Sequence, residues 1–370
     1  MTRENIDWIF ELKDKVPQFL DRLKGKRIPG FFHYSLSGDL YNEDVNWGLG
    51  NTVFAAKIYY TINLVDNLPR KDVDSMADFI RSFQKRDGSI YDPLITRKNF
   101  RHKLFYIRHL DFKRLINNDG IQQTRRAETR QSFASLLLLK SHPDLPYLQI
   151  PYSFEEVDKY LNALDWTMPW GAGSHFSHLL FFYKVNREVF NVHRDETDDL
   201  IEFAIEFVNK FQSPEDGSWY KGNSSIQQKV NGAMKIITGL KAVNKVTFKY
   251  PEKLIDLCLK AVNDTHACDN FNIIYVLKYA NELTQGSYIS KEIEKFCYNR
   301  LGIYRKYYYP EIGGFSFLPG KSNEIYYGTK ITKGFNEPDI HGTVMFLWGI
   351  AIISQILGMN EELGFKEFIT

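Results

Sequence analysis

Cysteine is scarce. The three in 370 residues (Cys258, Cys268 and Cys297) show no paired spacing, which excludes a disulfide framework. Neither sign of charge is in excess: the formal net charge is +2, so nothing global points to nucleic acid, and no nucleic-acid partner is expected. Long hydrophobic runs are missing. The longest, TVMFLWGIAIISQILG, stops short of a membrane span. The first residues, MTRENIDWIFELKDKV, are charged and amphipathic, unlike a signal peptide. Together these absences lead us to expect a cytoplasmic protein of a reducing compartment. No Pro-, Gly- or Ser-rich linker divides the chain, so one domain over 1–370 is expected. No phosphate-cradling glycine loop, nucleophile elbow, HExxH or dinucleotide fingerprint occurs, and no run alternates like a strand.

What is plentiful is aromatic: 28 Phe, 22 Tyr and 6 Trp, 15% of the chain. That amount suits wide helix packing, or an aromatic-lined cavity for a ring or a cation. Helical periodicity recurs along the sequence. Amphipathic, charged segments (5–23, 73–84, 153–164, 197–212, 251–262, 290–301) alternate with more apolar ones (51–65, 129–140, 173–185, 226–243, 268–283, 339–357). A helix apolar on most faces must be buried among others. Six charged-then-apolar pairs predict an all-α fold, an (α/α)6 toroid of outer and inner helices with long rim loops. An open solenoid of helix pairs is the alternative.

Two loops joining outer to inner segments carry related strings, FQSPEDGSWY (211–220) and FQKRDGSIY (83–91). A glutamine at a helix end can bond orphan backbone groups, and Asp-Gly supplies a tight turn with positive φ. Gln212, Gly217 and Trp219 at this spacing resemble the repeat of the terpenoid-cyclase and protein-prenyltransferase superfamily. Gln84, Gly88 and Ile90 form a copy without the Trp, and GGFSF (313–317) looks like a degenerate third. The resemblance covers about half the chain. It implies the toroid, and an enzyme binding a diphosphate-bearing, isoprenoid-type anion in an aromatic central cavity. The Asp-x-Asp-Asp acid of the class II cyclases is absent. The zinc triad of the prenyltransferases has a counterpart in HACDN (266–270) and DIHGT (339–343). By that resemblance Cys268, Asp269 or His266, and His341 become candidate metal ligands. Zinc or magnesium is thus the cofactor to consider; plain helix capping by Asp269 and Asp339 is the alternative.

In a toroid the inner helices start at one mouth, where their N–H groups favour anions. The residues at those starts are therefore the candidate site: His175, His178, Glu128 and Asp339 for acid–base work, and Arg125, Arg126, Arg130, Trp170, Asn231 and Trp47 for binding substrate. Arginines suit diphosphate or carboxylate, and histidines three apart share a helix face. Helical spacing does not direct all three arginines into one pocket. A basic rim insertion (96–126), with aromatics interleaved, suits an anionic small molecule, a glycan or a peripheral contact with a membrane surface. A Tyr- and Gly-rich rim loop (304–338) suits a lid. Two other functions fit the same residues: a carbohydrate-active (α/α)6 enzyme (lyase, hydrolase or epimerase) on an anionic sugar, and a non-catalytic interaction scaffold.

Overall fold

A computed structural model describes residues 6–98, 104, 107, 108, 119–265 and 267–370. Most of the basic insertion, and His266, lie outside the described residues. Among the described residues the chain is mostly helical, with fourteen α-helices and four two-residue strands.

The helices are α1 (Leu12–Leu23), α2 (Leu49–Thr61), α3 (Arg70–Arg81), α4 (Pro93–Lys98), α5 (Asp119–Leu138), α6 (Phe154–Asn162), α7 (Pro169–Phe190), α8 (Thr197–Asn209), α9 (Ile226–Ala242), α10 (Pro251–Lys260), α11 (Ala267–Leu283), α12 (Ser290–Tyr304), α13 (Ile340–Ile356) and α14 (Asn360–Leu363). Burial divides them into two kinds. In α2, α7, α9, α11 and α13, and in the second half of α5, most residues are buried, whereas α1, α3, α6 and α10 bury one stripe. The buried kind pack on one another in chain order: α2 on α5, α5 on α7, α7 on α9, α9 on α11 and α11 on α13. The last of them, α13, packs back on α2. The α7–α9 approach is close because glycine sits on both sides. A Cβ on Gly173 would lie 2.9 Å from the Gly232 carbonyl, and one on Gly232 would lie 2.6 Å from Pro169.

The glutamine loops make a clamp between successive pairs. Gln212 Nε2 donates to the carbonyls of Gly217 and Lys249, and its Oε1 accepts from the Lys249 N–H. Gln84 repeats this with Gly88 and Leu145 as acceptors and Asp144 as donor. The glutamine therefore holds its own turn and the next connection, and does not cap the helix end. Gly217 and Gly88 take positive φ (+74° and +82°). Trp219 is fully buried against Phe248, with ring centroids 5.5 Å apart.

The 304–338 loop folds into two small antiparallel hairpins. β1 (Tyr308–Tyr309) pairs with β2 (Gly314–Phe315), and β3 (Ile325–Tyr326) pairs with β4 (Thr329–Lys330). The segment after α14 runs across the C-terminal ends of α2 and α11. The Lys366 N–H donates to Thr61, Glu367 accepts from Lys278 and Tyr279, and Phe368 packs on Trp348 at 4.0 Å. No described helix is long and apolar enough to cross a membrane.

Candidate functional site

A cavity of about 380 Å³ is lined by all six buried helices. Helix α2 contributes Phe54 and Lys57; α5, Arg130 and Gln131; α7, Trp170, Ser174 and His178; α9, Met234 and Lys235; α11, Cys268 and Asn272; and α13, His341, Val344, Met345 and Trp348. The hairpin loop adds Phe317, Asn323, Tyr326 and Tyr327 at one side, and the tail adds Phe368 and Thr370. The volume falls within the range of small-molecule sites.

Three cations face this space, Lys57, Arg130 and Lys235, and no Asp or Glu is among its described lining residues. Arg130 is 2% exposed, and its Nε and one terminal nitrogen have no hydrogen-bond partner among the described residues. Burial pushes its guanidinium down to about 10. Lys57 is equally buried and donates to the neutral oxygens of Gln131 and Thr370. Burial first, then the charges of Arg130 and Lys235, hold its ammonium well below the usual lysine range. Lys235 is pushed down to about 8, by burial and then by Arg130. It lies on the face of α9 next to α7: a Cβ on Gly173 of α7 would sit 3.0 Å from the Lys235 Cβ. Three like charges sharing a cavity repel one another, and an anion there would relieve that cost.

The residues expected from sequence fall in several places. Arg130, Trp170, His178, Cys268 and His341 line the cavity. His178 Nδ1 accepts from Arg126 Nε at 3.2 Å, and its Nε2 lies 3.3 Å from Ser174 Oγ. An arginine only donates, so the His178 proton sits on Nε2 and the ring is neutral, in line with a pKa lowered by burial and by Arg130. His175 turns instead to Tyr160 of α6, 2.9 Å away. Arg125 stacks over Tyr91 at 4.5 Å. Asn231 is enclosed in a network, donating to Asp269 and accepting from Gln227 and Asn272. Trp47 is buried beside Phe31 and Tyr41 and donates to the Asn42 carbonyl, outside the cavity lining.

The two carboxyls expected to act as acids are held by backbone. Asp339 caps α13 through Gly342 N–H and also accepts from Phe317 and Asn323 N–H; burial raises it to about 7. Glu128 accepts from the Asp92 N–H and is raised by burial and by the Asp92 charge, while its Oε1 has no partner. Neither lines the cavity. Of the proposed metal ligands, Asp269 bonds Asn231 and Asn263, and His341 is stacked on Phe54 at 4.6 Å with Nδ1 3.2 Å from the Tyr34 hydroxyl. Burial pushes the Cys268 thiol up to about 12, unlike a ready thiolate ligand. Among the described residues no group of three or more His, Cys, Asp or Glu is placed to hold a metal ion.

Lys57 and Lys235 were not among the expected residues. Their signal is a lone lysine within an apolar run of a buried helix, in VFAAKIYY and GAMKIITG. Comparison with known proteins assigns no family: no family model matches the sequence, and no curated protein matches it.

Proposed function

We propose that the six helix pairs close into an (α/α)6 toroid whose central cavity binds an anionic small organic molecule, and that the chain is an enzyme acting on an anionic sugar. The ring is supported by the packing order of the buried helices, in which the last touches the first. The anion is supported above all by one observation: Lys57, Arg130 and Lys235 line a cavity with no Asp or Glu among its described lining residues, and two nitrogens of the buried Arg130 have no partner among the described residues. A guanidinium fork matches carboxylate or phosphate oxygens. The rings of Trp170, Tyr326 and Tyr327 give a sugar surfaces to stack on, and Asn272 offers an amide for its hydroxyls. Chemistry in this cavity would rest on amines, hydroxyls and imidazoles. Hydrolysis by a pair of carboxyls would find neither acid nor base among the lining residues, which favours lyase- or epimerase-type proton transfer.

A second reading, an isoprenoid diphosphate, is favoured by the apolar wall of Phe54, Val344, Met345, Trp348 and Phe368. The cations would then hold the diphosphate. Initiation by a carboxylic acid would lack its donor in the lining. A thermal-shift panel separates the readings. Uronic-acid oligosaccharides and sugar phosphates should stabilise the protein if the first is right, by about 2.7 kcal/mol at ~100 times the dissociation constant. Stabilisation by prenyl diphosphates alone would move the assignment to the second. A flat panel would reject both and leave an interaction scaffold.

A further inference from the structure

Lys235 is the cavity cation with the least to hold it. No hydrogen bond or ion pair reaches its amine among the described residues, whereas Lys57 bonds Gln131 and Thr370. The titratable groups that share its cavity are Arg130 on α5, Lys57 on α2, His178 on α7, Cys268 on α11, His341 on α13 and Tyr327 on the hairpin loop, and of these Arg130, Lys57, His178 and Cys268 act on it electrostatically. None is a carboxylate. A lysine desolvated beside other cations gives up its proton at lower pH and becomes a nucleophile, which is how amine-dependent enzymes activate one. Here its pKa is lowered to about 8, so the neutral amine is a sizeable fraction near neutrality. Its Cβ lies close to Gly173, where an added Cβ would be 3.0 Å away.

We propose that Lys235 forms an imine with the carbonyl carbon of an anionic substrate whose charged group is held by Arg130 and Lys57. The neutral amine nitrogen adds to the carbonyl, one of its two protons passes to the carbonyl oxygen to give a carbinolamine, and the second leaves with that oxygen as water. No oxidant or metal is consumed. The open-chain form of a sugar acid or sugar phosphate carries both parts, an aldehyde or ketone and an anion. The proposal rests on the anion-binding reading of the cavity and adds a covalent step to it.

Pyridoxal 5′-phosphate serves as the probe, because it joins an aldehyde, a phosphate and an aromatic ring. 4′-Deoxypyridoxine 5′-phosphate, which lacks the aldehyde, reports anion binding alone. The protein is incubated with the aldehyde, reduced with borohydride and mapped by peptide mass spectrometry. The expected result is one dominant adduct, on Lys235, suppressed by excess deoxy compound. Lys235→Arg keeps the charge and should still be stabilised by the deoxy compound while losing the adduct. An adduct on Lys57 or scattered over surface lysines, with Lys235 unmodified, would overturn the imine step. Binding of the deoxy compound would then leave the anion site standing. If neither compound stabilises the wild-type protein, the anion reading and the imine fall together. The wild-type peptide map is decisive even if the variant misfolds.

Discussion

Replacing Arg130 by Met should make the ligand-free protein more stable while abolishing its anion binding. Methionine keeps most of the buried stem and removes the charge. Arg130 is 2% exposed, and burial holds it near 10 instead of 12.5. That depression corresponds to roughly 3 kcal/mol of unfavourable charge burial. A gain of about 2–3 kcal/mol is expected, and removing the repulsion on Lys57 and Lys235 works in the same direction. At about 2.1 cal/mol/K per residue, the unfolding entropy of a 370-residue chain is near 0.8 kcal/mol/K, so the midpoint should rise by roughly 3–4 °C. Calorimetry at pH 7 without phosphate or other polyvalent anions reads this directly. A variant that melts below the wild type would mean that the charge is compensated in the folded protein, and the reasoning would be refuted.

Other outcomes follow from the same structure. Lys235 leaves its charged form near pH 8 in the folded state and near 10.5 when unfolded, so its cost is fully present below pH 8 and is relieved as pH rises. Ligand-free wild type should therefore gain stability between about pH 8 and 10 relative to Lys235→Met, and parallel pH profiles in urea melts would contradict this. Trp219→Ala empties a fully buried site and should cost about 3–5 kcal/mol in chemical denaturation. Gln212→Ala strands backbone groups at Gly217 and Lys249 and should cost about 1–3 kcal/mol, more than Gln84→Ala, whose loop is more exposed. Gly88→Ala, whose Cβ would lie 1.8 Å from the Pro146 carbonyl, should be far worse than Gly286→Ala. The latter has the same positive φ in open space, and about 1 kcal/mol covers it.

The helix pairs could be read from sequence because burial writes itself into composition. A segment such as 339–357 is apolar all round only where neighbours surround it, and the structure places α13 (Ile340–Ile356) between α2 and α11. The start of α5 at Asp119 was less legible, because its first turns are polar and merge with the basic insertion; periodicity suggested 129. The glutamine loops were visible as strings, but their partners Lys249 and Asp144 lie far along the chain, and only the fold brings them together. The site was half legible. Reading the inner-helix starts found Arg130, Trp170, His178 and His341. It also gathered Trp47 and Asp339, which the structure uses for packing and capping. Lys57 and Lys235 sit mid-helix, where one charge in an apolar run is easily taken for an exposed face. Phe368 and Thr370 reach the cavity only because the tail folds back over α2 and α11.

The central claim is that an anion belongs among Lys57, Arg130 and Lys235. Anomalous diffraction from crystals soaked in tungstate or bromide tests it most directly. A peak is expected inside the cavity, within hydrogen-bond distance of the Arg130 guanidinium and absent in Arg130→Met. A cavity without such a peak, in crystals that bind the anion elsewhere, would contradict it.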